Sequence, residues 1–534
     1  MRIFNTTGPV RCDEHYCLPP LTRLDLDEIL FLIDQKKYFI LHAPRQVGKT
    51  SYLLALRDYL IHKDQYHCLY INVEGAQAAR ENVRRGIRAI LGELAVRARD
   101  SLKDSYPLEH WQDVFAQFGE DAALNVMLTD WAGAKSKPLV LLIDEIDSLV
   151  GDTLISVLRQ LRAGYDKRPS LFPQSIILCG VRDLHDYRIH SSQEKALITG
   201  GSAFNIKAKS LRMVDFSQDE VDILLQQHTT ETGQIFESHA LELIWKLTRG
   251  QPWLVNALAY EVCFEMKEGR DRSKPITAEM VTEAKERIIL RRETHIDQLV
   301  DKLQEERVRR VIEPILAGKR RPDLIPTDDI QYVRDLGLIR TEEGQLTIAN
   351  PIYQEVIPRE LTYSTQLTIT HQPAWYIAPN GRLDVDKLLS AFQEFFREHS
   401  ERWVERFDYK EAGPQLLLQA FLQRIVNRGG RVEREYGLGR RRTDLLVIWP
   451  YPSASSGQAP GGVQKSVLEL KVLYRSLEAT IEEGLEQTWA YMDRCDAEAG
   501  HLVIFDRAPN KSWDEKIFTR RESHEGVEIK VWGM

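Results

Sequence analysis

The segment Ala43-Pro44-Arg45-Gln46-Val47-Gly48-Lys49-Thr50 lies between the apolar run YFIL and the helical pattern SYLLALRDYL, and this strand, loop, helix order narrows the fold more than any other feature of the chain. A loop of this kind aims successive backbone N–H groups and the positive end of the next helix at one point, where they hold a phosphate. Lys49 then reaches the β and γ oxygens, and Thr50 offers its hydroxyl to Mg²⁺. With ordinary residue frequencies the string is expected about 0.04 times in a chain this long, so coincidence is a poor account of it. Ala43 stands at the first position, where glycine is commoner, and a Cβ fits there if φ is negative. The loop needs a parallel sheet behind it. From residue 25 to about 215, β-rich runs at 38–43, 68–73, 138–144 and 175–181 alternate with helical patterns, as a sheet covered on both faces requires.

A second half-site supports the first. Leu139-Val140-Leu141-Leu142-Ile143-Asp144-Glu145 is an apolar strand ending in two carboxylates, with Asp144 expected to hold a water on Mg²⁺ and Glu145 to polarise the attacking water. With GVRDLHDYR at 180–188 and the step Gly250-Gln251-Pro252 before a helix, residues 25–360 resemble the STAND and archaeal-type AAA-like ATPases. The resemblance implies an ATP-binding site in which Arg182 senses the γ-phosphate and Pro252 packs near the adenine. It also implies a winged helix that closes over the nucleotide, and self-association. Taken as residues alone, Gly250-Gln251-Pro252 reads as a helix stop and restart, and Arg182 as a surface ion pair.

At 534 residues the chain exceeds one hydrophobic core, and a multidomain α/β protein is expected. Residues 1–24 form an entry segment and 25–215 the P-loop ATPase core. Residues 216–302 are helical with no strand, and 303–362 run helix, helix, hairpin, the order of a winged helix, with the hairpin turning at Glu343 and Gly344. Residues 363–405 form a helical connector, and 406–534 a second α/β domain of the restriction-endonuclease-like class. Six cysteines are too scattered to staple the fold, so reduced thiols and a cytoplasmic setting are expected. A net charge of −8 excludes a uniformly basic nucleic-acid coat and leaves room for a local basic face. No run of apolar residues is long enough to span a membrane.

In the last domain Asp444 begins the strand pattern TDLLVIW, and Glu469-Leu470-Lys471 lies inside SVLELKVLY after a Ser/Gly-rich loop. Glu469 and Lys471 share a face of their strand, so a hairpin that brings Asp444 alongside gathers two carboxylates and an ammonium at one sheet edge. Asp444, Glu469 and the Leu470 carbonyl suit Mg²⁺, with Mn²⁺ as an alternative ion, while Lys471 stabilises developing phosphate charge. In the helix that follows, Ile481, Leu485 and Met492 form an apolar stripe, and Gln487 and Tyr491, at i and i+4, share another face. In this order the residues resemble the PD-(D/E)xK nuclease superfamily, in its form with a RecB-like Gln–Tyr helix, although Thr443 stands where the motif name has Pro. The resemblance implies Mg²⁺-dependent cleavage of DNA, and it offers Glu411 as a further carboxylate from the first helix.

Between residues 424 and 442, seven Arg face two Glu, and the run ends in Arg440, Arg441 and Arg442 immediately before Asp444, a pattern suited to holding backbone phosphates. The two motif sets together lead to an ATP-controlled DNA nuclease, and family analogy sets it in prokaryotic defence against foreign DNA, with an activator protein as a further partner. Two alternatives stand beside it: a nucleotide-dependent signalling scaffold whose nuclease fold binds DNA without cutting, and a translocating nuclease of DNA repair or recombination. RNA remains the alternative substrate.

Overall fold

The computed structural model describes residues 1–183, 188–191, 196–199, 204–291, 294–316, 325–342, 344–361, 376–406, 418–419, 421–422, 430–436, 443–451, 462–473, 476–506, 508 and 511–534. The chain divides into two compact units, Met1–His295 with Gln331–Leu338, and Ile296–Ile330 with Ile339–Met534.

The first unit is built on a parallel sheet of five strands: β1 (Tyr38–His42), β2 (His67–Asn72), β3 (Leu139–Asp144), β4 (Ser175–Gly180) and β5 (Lys207–Arg212). Their spatial order is β2-β3-β4-β1-β5. The four apolar runs of the sequence form the first four strands. The fifth, KAKSLR, pairs with β1 at the edge, where its polar residues remain accessible. Because side chains alternate across a strand, Tyr38, Ile40, Leu139, Leu141 and Ile143 face one core. Phe39, Leu41, Val140 and Leu142 face the other. Helix α1 (Lys49–His62) closes the second core. Helices α2 (Val83–Leu102), α3 (Tyr106–Gly133, broken at Gly119 with φ +66°) and α4 (Gly151–Ala163) close the first.

From 216 onward the unit is helical, with Gln218–Thr232, Ser238–Thr248, α5 (Pro252–Tyr260) and Ala278–Arg291. Gly250, at φ +80°, stops one helix, and Pro252 starts the next at the position where its missing N–H costs nothing. One expectation fails at the N-terminus: Cys12 and Cys17 are joined in a disulfide, with Cα atoms 5.5 Å apart. Five residues of separation are few enough to bring the two thiols together locally, which a count of scattered cysteines does not register.

In the second unit, Glu306–Leu316, Thr327–Asp335 and the antiparallel pair Ile339–Glu342 with Gln345–Ile348 follow the helix, helix, hairpin order, and Glu343 lies outside the described residues. The C-terminal part holds a mixed sheet of β6 (Arg431–Tyr436), β7 (Thr443–Pro450), β8 (Val463–Val472), β9 (Ala499–Phe505), β10 (Phe518–His524) and β11 (Val527–Gly533). Its order is β6-β7-β8-β9-β11-β10. Helix α6 (Val385–Arg406) packs on one face, where the Gln393 amide donates to the carbonyls of Phe518 and Gly533 and Phe396 meets Phe505. Helix α7 (Leu477–Cys495) packs on the other face through Ile481, Leu485 and Met492. Gly484 lets it approach closely, because a Cβ there would stand 2.6 Å from Leu502. Among the described residues no helix is long and apolar enough to cross a membrane.

Candidate functional site

The loop after β1 turns through two residues of positive φ, Gln46 at +58° and Gly48 at +104°. Gly48 has open space where a Cβ would stand, so the backbone conformation rather than crowding favours glycine there. Ala43 has no positive φ and is fully buried, which explains how this position holds a methyl group. Lys49 opens α1, is almost wholly buried, and donates to the carbonyls of Ala43 and Pro44, both at 2.9 Å. The ammonium is thereby held inside the curve of its own loop. Arg45 is exposed, Gln46 is half-buried and Val47 is buried.

Thr50 Oγ1 donates to Asp144 Oδ2 at 2.7 Å, joining the start of α1 to the end of β3. Asp144 is fully buried, and Tyr70 from β2 donates to the same oxygen at 3.0 Å. Glu145 takes a left-handed φ of +57° directly after the strand, and its N–H donates to Asp144 Oδ1 at 3.0 Å. Burial, and then the neighbouring Asp147 carboxylate, push the Glu145 carboxyl above its ordinary value. Asp147 is itself fixed, accepting the Val181 N–H at 3.0 Å. At the end of β1, burial pushes the His42 imidazole down to about 4, leaving it neutral at physiological pH. Thr50 and Asp144 supply hard oxygen donors on adjoining elements, which fits Mg²⁺ beside a nucleotide.

A model of the AAA-like domain matches residues 32–358. The chain belongs to the AAA-like domain family. The Walker-type ATPase PABY2304 of Pyrococcus abyssi is similar at 17% identity and TM-score 0.46, over 66% of this chain and 99% of that one. The RuvB Holliday junction branch migration motor of Thermotoga maritima is similar at 14% identity and TM-score 0.32, over 62% of this chain and 95% of that one. Cdc6p of Pyrobaculum aerophilum is similar at 14% identity and TM-score 0.33, over 64% and 93%. No curated protein matches. A P-loop of the AAA-like domain implies binding and hydrolysis of ATP with Mg²⁺.

Within the AAA-like unit, Arg182 lies with its guanidinium 4.7 Å from the centre of the Tyr332 ring. Pro252 is buried at the first position of α5, and the residue after it, Trp253, donates from Nε1 to the Thr6 carbonyl at 2.9 Å. The N-terminal residues also reach α1, where the Val10 N–H donates to Ser51 Oγ at 2.9 Å. Sequence reading missed Tyr70, Asp147 and this N-terminal contact. The acidic spacing Asp144, Glu145, Asp147 was the available signal for the second of these.

Beyond the AAA-like match, the C-terminal sheet assembles a second buried polar cluster. Glu469 is fully buried on β8, with Oε1 3.0 Å from Lys471 Nζ. Its Oε2 has no hydrogen-bond donor among the described residues. Lys471 is bonded to Gln487 Oε1 from α7, and Gln487 Nε2 donates to Glu483 Oε1 at 3.3 Å. Glu483, which sequence reading passed over, also stands 3.8 Å from Lys471 Nζ. Tyr491 is buried one turn beyond Gln487, among the apolar residues beneath the sheet. The antiparallel register pairs Leu445 with Leu468, so Asp444 and Glu469 occupy the next rung of the two strands. The side chain of Asp444 lies outside the described residues, as do Glu411, Arg440, Arg441 and Arg442. Among the described residues no group of three or more His, Cys, Asp or Glu gathers to hold a metal ion.

Proposed function

We propose that the chain is an ATP-driven switch that controls a Mg²⁺-dependent DNA nuclease in its C-terminal domain. The AAA-like unit is read as a STAND-type module, with Lys49 on the β- and γ-phosphates, Thr50 and Asp144 holding Mg²⁺, and Glu145 orienting the attacking water. Arg182 reads the γ-phosphate, Pro252 lies by the adenine, and residues 303–362 act as a winged helix that changes domain contacts with nucleotide state. A switch of this kind works only if ATP binds one arrangement better than the other.

The observation that carries the nuclease half is the buried Glu469–Lys471–Gln487 cluster with Asp444 on the adjacent rung. A carboxylate, an ammonium and a carboxamide shut away from water are costly to bury unless they serve a site, and the unbonded Glu469 Oε2 fits a cation ligand. Mg²⁺ or Mn²⁺, when bound by Asp444, Glu469 and the Leu470 carbonyl, supplies activation of water and neutralisation of phosphate charge. Lys471 then stabilises the charge that develops on the phosphate, with Gln487 fixing the ammonium and Tyr491 supporting the same helix face. Glu411 adds a carboxylate, and Arg440, Arg441 and Arg442 hold the DNA backbone. Homo-oligomerisation and an activator protein complete the reading, whose setting is defence against foreign DNA.

The test is cleavage of single-stranded, linear and supercoiled DNA with Mg²⁺ or Mn²⁺, with and without ATP, comparing wild type with Glu469→Ala. Cleavage that depends on Glu469 and changes with ATP supports the switch. Wild type that binds DNA and leaves it intact under every condition, with binding unchanged in Glu469→Ala, points instead to a non-cutting scaffold.

A further inference from the structure

The AAA-like unit carries a groove of about 730 Å³ that none of the roles above uses. One wall is the outer face of α2, where Arg85, Arg88 and Arg97 line it. The other is the turn after β2, and Trp111 of α3 closes one side. Arg97 is paired with Glu93 at 2.7 Å. Arg85 and Arg88 are exposed and have no carboxylate partner among the described residues. Arg85 to Arg97 is twelve residues of helix, about 18 Å, several times the ~3.4 Å phosphate spacing along one stacked strand.

The floor is as informative as the rim. Gly92 sits in the middle of α2, where glycine costs about 1 kcal/mol relative to alanine, and Gly75 sits in the facing turn. At both positions the space a Cβ would enter is open for 4 Å, so neither glycine is required by packing. Both line the groove, which leaves bare backbone between the guanidiniums and the indole.

We propose that this groove binds single-stranded nucleic acid, with Arg85 and Arg88 on the phosphates and Trp111 stacking against a base. Unpaired guanidiniums on successive turns suit a repeating phosphodiester. An aromatic face beside them suits bases of any sequence, and together they make a stacking platform in a positive channel. An acidic peptide would use the arginines and leave the indole and the glycine floor without a role. The inference stands apart from the nuclease reading, since none of its residues belongs to the C-terminal domain.

The test uses the full chain with divalent metal chelated, so that cleavage cannot intervene, and short bromouracil-substituted DNA and RNA strands as probes. Ultraviolet crosslinking followed by peptide mapping should place the crosslink on the peptide bearing Trp111, both in wild type and in a variant with Arg440, Arg441 and Arg442 changed to Ala. In Arg85→Ala/Arg88→Ala that crosslink should disappear, and the slope of log K against log salt should shrink by about two. Basal ATP hydrolysis should be unchanged, which shows that the variant is folded. A crosslink absent from the Trp111 peptide, a salt slope equal in wild type and double variant, or equal competition by polyglutamate would overturn the proposal. The last result would assign the groove to an acidic protein segment.

Discussion

Thr50 and Asp144 are separated by 94 residues and meet at 2.7 Å, hydroxyl to carboxylate, with Tyr70 donating to the same carboxylate oxygen. The bond ties the helix that begins the phosphate loop to the strand that ends in Glu145, so the two halves of the nucleotide site cannot move apart without breaking it. Thr50→Ala removes both this bond and the hydroxyl proposed for Mg²⁺. It should lower ATP turnover by on the order of 10²- to 10³-fold, whereas Thr50→Ser keeps the hydroxyl and most of the rate. Tyr70→Phe, which removes only a supporting bond, should cost about 1 kcal/mol of stability and leave turnover near wild type. Steady-state phosphate release and thermal melts separate the three. Equal rates in Thr50→Ala and wild type would remove the hydroxyl from the site.

Glu145 must be ionised to orient water, and burial together with Asp147 raises its pKa. The acid limb of the ATPase profile should therefore lie above the range of an ordinary glutamate. Asp147→Asn keeps the acceptor for Val181 and removes the charge, so the limb should move to lower pH with the plateau rate little changed. For stability the sign is the reverse of the usual acidic case. A raised carboxyl pKa favours the native state at low pH, and that contribution is lost as pH rises through the folded-state value. Glu145→Gln should accordingly melt higher than wild type at neutral pH while losing turnover. A limb unmoved by Asp147→Asn would show that another group controls it.

What could be read from the sequence followed how strongly each segment's pattern was tied to burial. The four inner strands of the first sheet are buried along their whole length and read as continuous apolar runs. Lys207–Arg212 was illegible because it is an edge strand whose side chains reach solvent, so neither an apolar run nor clean alternation marks it. Arg431–Tyr436 was hidden in the same way: RVEREY looks like a solvated basic run, yet it pairs with β7 through its backbone. Within the nucleotide site, Lys49, Thr50, Asp144 and Glu145 were legible because the loop and the strand end constrain residue type at fixed spacing. Tyr70 was not, since its partner lies 74 residues away and nothing local distinguishes it from a core tyrosine. Helix α6 showed its helical period, but which surface it covers became clear only from Gln393 and Phe396 on the C-terminal sheet.

Lys471 is the cation paired with a carboxylate that has no access to solvent. Removing one partner of such a pair leaves the other buried and uncompensated, which costs about 3–5 kcal/mol. Lys471→Ala should therefore destabilise the C-terminal unit as well as abolish cleavage, and a loss of cutting in that variant alone would not separate chemistry from folding. Glu469→Gln/Lys471→Met, which replaces both charges, should recover most of the stability and remain inactive. Urea unfolding of the three proteins, read beside the cleavage gel, makes the distinction. A Lys471→Ala protein as stable as wild type would show that the pair is not desolvated.

His501 on β9 offers a separate probe of the C-terminal sheet. It is buried, accepts the Trp532 Nε1–H at 3.2 Å on Nδ1, and faces Asp386 at 4.0 Å, which is itself bonded to Lys530. Burial pushes its pKa down to about 4, against Asp386, whose charge acts in the opposite direction. The unfolded chain takes up this proton below its ordinary value of 6.5, and the native chain does so only near 4. The contribution to stability is therefore complete above pH 6.5 and falls by about 3 kcal/mol as pH drops to 4. His501→Asn keeps a polar side chain and removes the titration, so this component of the pH dependence should vanish. Hydrogen exchange of the β9 and β11 amides at pH 7 and pH 5 reads it locally, without interference from the AAA-like unit. Opening free energies in wild type should fall between the two pH values by more than in His501→Asn, and parallel falls in the two proteins would show that His501 is not held neutral.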